Sequence, residues 1–267
     1  MRKSLLFSGI LISLLFLWSN CQSDKDTAAT KDETSTGKNA NSNKKQVHFK
    51  EQWVSAPPDF DTLLLSYVEE YDKRGNLIEK KEYNAQGELV IHTKKTYNEY
   101  NDEIQKTAEN FQAKNFVESS NEIDYANGKK TTLVSRSKTG TIESIYIYFE
   151  NGDYKWSMIK DGEETEYILY NKNGLKIETS RMNGQMTQKF KYDDHGTVTL
   201  RIRKATIHPE EVLAYINEYD SEGNLTRKSY GNRIEDYTYN EDGNVKTETW
   251  YFVDEKIQYM EYKYQYY

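Results

Sequence analysis

Tyr219-Asp220-Ser221-Glu222-Gly223-Asn224-Leu225 is one copy of a unit that returns along this 267-residue chain. The same frame, Tyr followed by Asp or Asn, two variable residues and Gly, stands at 71–75, 83–87, 170–174, 192–196 and 239–243. A seventh copy, Tyr97-Asn98-Glu99-Tyr100-Asn101, carries Asn in place of Gly, and 137–140 and 149–152 are degraded copies. Asp or Asn at the head of a four-residue turn accepts a backbone hydrogen bond two residues on. Gly at the fourth position reaches the positive φ that a type I turn needs in order to close a bulged three-residue hairpin loop. Asn tolerates that conformation better than other residues with a side chain, which explains Asn101. The Tyr ahead of each turn ends the incoming strand, where an aromatic suits a pleated, half-buried surface.

Tighter turns alternate with these: Asn127-Gly128, Asp161-Gly162 and Asn183-Gly184. Asn-Gly and Asp-Gly are strong two-residue hairpin signals. The segments between turns have strand length, as in 175–182, 185–192 and 197–205. Val198, Leu200 and Ile202 alternate with Thr199, Arg201 and Arg203, the period of a strand with two unlike faces. Copies begin 22 residues apart from Tyr148 to Tyr170 to Tyr192, and 20 apart from Tyr219 to Tyr239. Each unit is therefore two strands and two turns. The expected fold class is all-β, an antiparallel meander of tandem hairpins forming an open curved sheet or a partial shell. Glu103 to Glu109 has helical propensity, but the repeat turns on both sides favour a strand.

The N-terminus reads differently. Met1-Arg2-Lys3 is a short basic head, and the apolar run from Leu5 to Trp18 is shorter than a typical membrane span. Cys21 follows at once and is the single cysteine of the chain, so no intramolecular disulfide can form. This pattern resembles the acylated cysteine of a bacterial lipoprotein signal, with Ser19 fitting the pattern and Trp18 and Asn20 departing from it. An ordinary cleaved signal and an uncleaved anchor are the alternatives. Residues 1–20 are thus expected to be a signal peptide, 21–46 a lipid-anchored linker and 47–267 the β domain. The stretch from Gln22 to Gln46 holds no aromatic residue and cannot bury enough surface to fold alone. As a flexible tether it would span about 27 Å. Gln22-Ser23-Asp24-Lys25-Asp26 resembles the acidic signals that export some lipoproteins to the cell surface. The expected location is the outer membrane, with the chain held by lipid and exposed at the surface or kept periplasmic.

All 23 Tyr residues lie from Tyr67 onward. Hydrophobic content is 36 % and mean hydropathy −0.95, low for a domain of this size with one aliphatic core. Such a composition suits a sheet covered by Tyr, Thr and long charged side chains. The net charge of −7 argues against nucleic acid or an anionic membrane surface as a partner. Arg201, Arg203 and Lys204 read as one solvated strand face.

Tyr-Asp-x-x-Gly-Asn-Leu, at 71–77 and 219–225, is similar to the YD repeat of RHS proteins. That resemblance implies hairpins that curl into a shell. The self-cleavage motif of that family contains Asp-Pro, and the prolines here, Pro57, Pro58 and Pro209, do not form one. A β-repeat scaffold is therefore implied rather than toxin delivery. Tyr148-Phe149-Glu150-Asn151-Gly152 also looks like a MORN-type repeat, some of which occur in antitoxin-like proteins.

His48, His92, His195 and His208 have no metal-ligand spacing, and the acidic turns do not match a calcium loop. No nucleophile elbow or phosphate-cradling loop is present, so no catalytic, cofactor-binding or metal residue is nominated, no cofactor is expected, and the one assigned site is lipid attachment at Cys21. The expected function is a non-catalytic envelope lipoprotein whose sheet presents aromatic side chains to a protein or glycan. A glycan hydrolase using paired carboxylates, and a toxin-associated or immunity-like role, are the alternatives.

Overall fold

The computed structural model describes residues 45–56 and 59–267. Cys21, the signal segment and nearly all of the linker lie outside them. Nineteen strands are described. β1 (Val47–Ala56), β2 (Asp59–Tyr71), β3 (Leu77–Tyr83), β4 (Leu89–Tyr97) and β5 (Glu103–Asn110) come first. β6 (Asn115–Ala126), β7 (Lys129–Ser137), β8 (Gly140–Tyr148), β9 (Tyr154–Lys160) and β10 (Glu163–Tyr170) follow. Next are β11 (Lys176–Arg181), β12 (Met186–Tyr192), β13 (Val198–Ala205), β14 (His208–Ala214) and β15 (Ile216–Tyr219). The chain ends with β16 (Leu225–Tyr230), β17 (Arg233–Tyr239), β18 (Val245–Phe252) and β19 (Glu255–Tyr266). The strands expected at 175–182, 185–192 and 197–205 are β11, β12 and β13, and the ambiguous stretch from Glu103 is the strand β5.

Every ladder is antiparallel, and nearly every strand pairs with its sequence neighbour. β1 pairs with β2 on one side and β19 on the other, so the meander curls into a nearly closed barrel. The sequence left open whether the sheet stays open or closes. Its hairpin pattern names neighbours but not curvature, and β1, which seals the ring, carries no copy of the motif. One irregularity interrupts the ring. β14 pairs with β13 and β15 pairs with β16, and the chain passes from one ladder to the other at Tyr215.

The turns behave as their chemistry requires. At 220–224, the Gly223 amide donates to the Asp220 carbonyl over 3.1 Å, and the Asp220 amide donates to the Asn224 carbonyl over 3.0 Å. Asp220 Oδ1 accepts from the amides of Glu222 and Asn224, each at 2.9 Å, while Asn224 Nδ2 donates to Oδ2 over 3.0 Å. Gly223 has φ +84° and Asn101 +63°. The Asn of Gly-Asn-Leu is thus part of the turn, and Asn76 repeats its bond to Asp72 at 3.0 Å. Asn127-Gly128 and Asp161-Gly162 form the expected tight turns, with both residues at positive φ. At 182–184 the turn is wider, because Met182 joins Asn183 and Gly184 in that region.

Following the ladders round the ring keeps one face consistent. From Leu213 to Tyr219, Leu213, Tyr215, Asn217 and Tyr219 are half-buried, while Ala214, Ile216 and Glu218 are exposed. The half-buried face is the inner one. It carries the apolar cluster of Leu133, Tyr146, Trp156, Ile168 and Tyr170 on β7 to β10, with Ile123, Tyr154 and Met158 against it. It also carries buried Glu69, Glu235, Tyr237 and Met260. The outer face is charged and paired: Lys81 and His92 with Glu79 (2.9 and 2.7 Å), Arg136 with Glu122 (2.8 Å), and Arg227 with Asp236 (2.6 Å).

Candidate functional site

The up-and-down path sorts the turns. Hairpins at 72–76, 98–102, 149–153, 171–175, 193–197, 220–224 and 240–244 share one rim with both chain ends of the β domain, because each follows the last by an even number of strands, β14 and β15 counting as one bent strand. The copy at 83–87 comes one strand after Tyr71 and lands on the opposite rim. Tyr83 therefore points to the outer face, while the Tyr of every other copy points inward.

At the motif rim the tyrosine hydroxyls have a specific task. Tyr97 donates to the Leu77 carbonyl (2.8 Å), Tyr192 to Lys176 (2.5 Å), Tyr239 to Leu225 (2.8 Å) and Tyr264 to Val245 (2.8 Å). In each case the adjoining ladder stops short of the rim: β16 and β17 end their register at Arg227↔Asp236, and β18 and β19 at Thr247↔Glu261. The hydroxyl caps the carbonyl that the ladder leaves unpaired. Neighbouring copies also interlock. Tyr219 and Asn217 both donate to Asp193 Oδ2 (2.5 and 3.0 Å), and His195 stacks on Tyr219 with centroids 4.0 Å apart. Tyr266 accepts from Asn240 and Asn244 at 3.0 Å each. The seam is closed the same way: Tyr267 donates to the Tyr71 carbonyl, and the Gln46 side chain donates to the carbonyl of Lys73. Gln46, read from sequence as linker, is thus part of the rim.

Inside this rim, where β17, β18, β19, β1 and β2 meet, lies a pocket of about 260 Å³. Tyr71, Tyr237, Tyr239, Tyr262 and Tyr264 line it, with Lys50 and Glu248 as its charged members. Lys50 Nζ stands 5.2 Å from the Tyr262 ring centroid and 5.7 Å from that of Tyr67. It also pairs with Glu69 at 3.7 Å, as does Lys80, and Tyr71 donates to the same carboxylate over 2.8 Å. Glu248 accepts from Trp250 Nε1 at 2.5 Å and from Tyr262 at 3.1 Å. Burial pushes the Glu248 carboxyl up, and nearby Glu235 adds to that, outweighing the two donors. Glu235 lies diagonally across the β17–β18 ladder and accepts from Tyr237 at 2.9 Å. Burial and the two carboxylates raise the Tyr237 hydroxyl, so it stays a donor at physiological pH. Five tyrosines and the Glu248 carboxylate therefore converge in one concavity, which no spacing in the sequence announces. The signal was present only as Glu-x-Tyr and Glu-x-Trp, at 235–237 and 248–250, repeated on facing strands.

A second depression of about 450 Å³ lies at the opposite rim, against Val54, Leu64, Leu65 and Tyr83, with no charged side chain in its lining. Among the described residues no three His, Cys, Asp or Glu side chains converge as metal ligands. His48 stacks between Phe49 and Tyr267 (4.2 and 4.4 Å), which accounts for its place. Arg201 and Arg203 face inward while Lys204 faces out, so the basic cluster is not one solvated face as expected; strand alternation divides it.

No family model matches the chain, and no curated protein does. Among solved structures, a porin-like protein from Bacteroides uniformis is similar at 13 % identity and TM-score 0.41, covering 82 % of this chain and 98 % of that one. A porin-like protein from Bacteroides vulgatus gives 10 % and 0.32, covering 83 % and 99 %. The Tc holotoxin pore of Photorhabdus luminescens gives 11 % and 0.31, covering 74 % of this chain and 14 % of the toxin chain. This chain thus spans about one seventh of that toxin component.

Proposed function

We propose that this chain is a non-catalytic binding module of the bacterial envelope, tethered by lipid on Cys21, whose tyrosine-lined rim pocket holds a saccharide. The pocket between Tyr71, Tyr237, Tyr239, Tyr262 and Tyr264 carries this reading. Tyrosine offers a flat apolar face for a sugar ring and a hydroxyl for its polar edge. Lys50 and Glu248 are the charged members of its lining. Membership of a YD-repeat class rests on the motif and on the turn geometry it forms. Screening purified protein against an array of bacterial and host glycans, followed by calorimetry, tests the binding. Tyr71→Ala should weaken the best glycan tenfold or more while the circular dichroism spectrum stays unchanged. Equal binding by the variant, or capture of proteins but no glycan, would refute the saccharide assignment. Metabolic labelling with a fatty-acid probe should mark the wild type and leave Cys21→Ser unmarked.

The diagonal pair of Glu235 and Glu248 favours a second reading, a glycan hydrolase using paired carboxylates. Binding is the stronger of the two, because aromatic donors already occupy both carboxylates. Release of reducing sugar by the wild type, abolished in Glu235→Gln, would reverse that ranking.

A further inference from the structure

Two buried polar atoms without partners flank Tyr215, at the one place where the ring of ladders changes hands. Arg201 Nε on β13 is enclosed and has no acceptor among the described residues. Asn217 Oδ1 on β15 is enclosed and has no donor. The orientation of that amide is settled by its other end, since Nδ2 donates to Asp193 Oδ2 (3.0 Å) and to the Val198 carbonyl (3.2 Å), both obligate acceptors. An orphaned donor and an orphaned acceptor on either side of one aromatic ring call for a ligand that carries both complements.

The surroundings define that ligand further. Lys228, opposite Asn217 on β16, places its ammonium 4.9 Å from the Tyr215 ring centroid. Tyr230 leans on the same ring at 4.9 Å. The inward carboxylates nearby are otherwise engaged. Glu235, in register with Lys228, accepts from Tyr237 (2.9 Å) and Tyr230 (3.3 Å), and Glu211 stands 3.9 Å from Arg203. Arg201 is close enough to Tyr215 to oppose the rise that burial imposes on its hydroxyl. Two cations, an aromatic platform and one free acceptor thus share a patch of the inner wall, away from the rim pocket.

We infer that this patch is a subsite for a sugar bearing a carboxylate, with the acid group on Arg201 and Lys228, the ring over Tyr215 and a hydroxyl donating to Asn217 Oδ1. A guanidinium takes a carboxylate with directional bonds that an ammonium reinforces as a point charge. The inference is independent of the rim pocket: Tyr71→Ala should leave it intact, so the two assignments fail separately. The test is calorimetric or saturation-transfer titration of the full-length protein with D-glucuronate, D-glucose, acetate and sulfate. Glucuronate should bind saturably, glucose and acetate at least tenfold more weakly, and Arg201→Gln should weaken glucuronate at least tenfold without moving the melting midpoint. If Arg201→Gln does not fold, Lys228→Gln takes its place with the same expected loss. Equal affinity for glucose would refute the anion contact, equal affinity for acetate or sulfate would refute the sugar contact, and no saturable binding of glucuronate, or an unaffected variant, would overturn the subsite.

Discussion

Tyr239→Phe isolates the task assigned to the motif tyrosine. The ring stays and only the hydroxyl leaves, so packing is held constant while the 2.8 Å bond to the Leu225 carbonyl is lost. A neutral hydrogen bond contributes about 0.5–1.5 kcal/mol net, and a carbonyl left dry costs about 1–3 kcal/mol. Leu225 is only half-buried, so water recovers part of that loss, and the expected destabilisation is about 1 kcal/mol. Tyr97, Tyr192 and Tyr264 make the same bond in separate hairpins, and effects at distant sites add. All four Phe substitutions together should cost about 4 kcal/mol, a large share of the roughly 5–15 kcal/mol that holds a typical domain folded. Urea melts supply the free energies. Tyr100→Phe is the control, since Tyr100 is 57 % exposed and its loss should stay within about 0.5 kcal/mol. If Tyr239→Phe and Tyr100→Phe melt alike, the hydroxyl caps nothing and the motif Tyr is there for its ring alone.

Gly223→Val should cost roughly 1–3 kcal/mol in the same melts, because φ is +84° there, with Gly223→Asn close to wild type; a wild-type melt for the Val variant would refute the turn assignment. Val253, β-branched at φ +50° in the β18–β19 turn, is strained, so Val253→Asn combined with Asp254→Gly should stabilise by about 1 kcal/mol. Burial disfavours the charge on Asp193, but hydrogen bonds from Tyr219, Asn217 and two backbone amides lower its carboxyl below the ordinary value. That group therefore contributes stability above the usual carboxylate range and loses it on acidification, so the melting midpoint should fall below about pH 4, less steeply in Asp193→Asn. Glu248 has the opposite sign: its folded value is raised, and stability present in acid is lost as pH rises through it. Glu248→Gln should accordingly melt higher than wild type at neutral pH and equally in acid, and a variant less stable at pH 7 would refute the buried-charge reading.

The hairpin plan was legible because turns are local. Asp220 and Gly223 act within five residues of each other, and any chain carrying that frame closes the same loop. Ring closure was not legible, because Val47 to Ser55 meets Tyr266 to Tyr259 across the length of the chain with no motif on β1 to mark it. Tyr83 exposes the limit of counting. Its copy has the right residues but follows Tyr71 by one strand, so parity sends it to the far rim and the outer face. The rim pocket and the Tyr215 patch were hidden for a related reason. Alternation separates inward from outward residues within a strand, yet which inward residues converge depends on register between strands. Arg201 and Arg203 share a face with Tyr215 and Lys228 only through the β13–β14 and β15–β16 ladders.

Barrel shape alone suggests a membrane-spanning protein, but the side chains argue otherwise. A transmembrane barrel needs an outward apolar band, and Arg or Lys on the lipid face costs about 2–4 kcal/mol at the bilayer midplane. Here Lys81, Lys94, Arg136, Lys189, Arg227 and Lys263 all face outward, on strands spread round the ring, interleaved with Glu79, Glu122, Glu178 and Asp236. Arg136, Lys189 and Arg227 are bound into cross-strand ion pairs, which form in water and have no counterpart against lipid. The inner face is mixed: the apolar cluster on β7 to β10 shares it with the charged cluster of Glu69, Lys50 and Lys80. The charged pairs of the outer face are therefore built for water. The backbone bond from the Tyr267 amide to the Gln46 carbonyl, 3.1 Å, brings the two ends of the described β domain together at the motif rim.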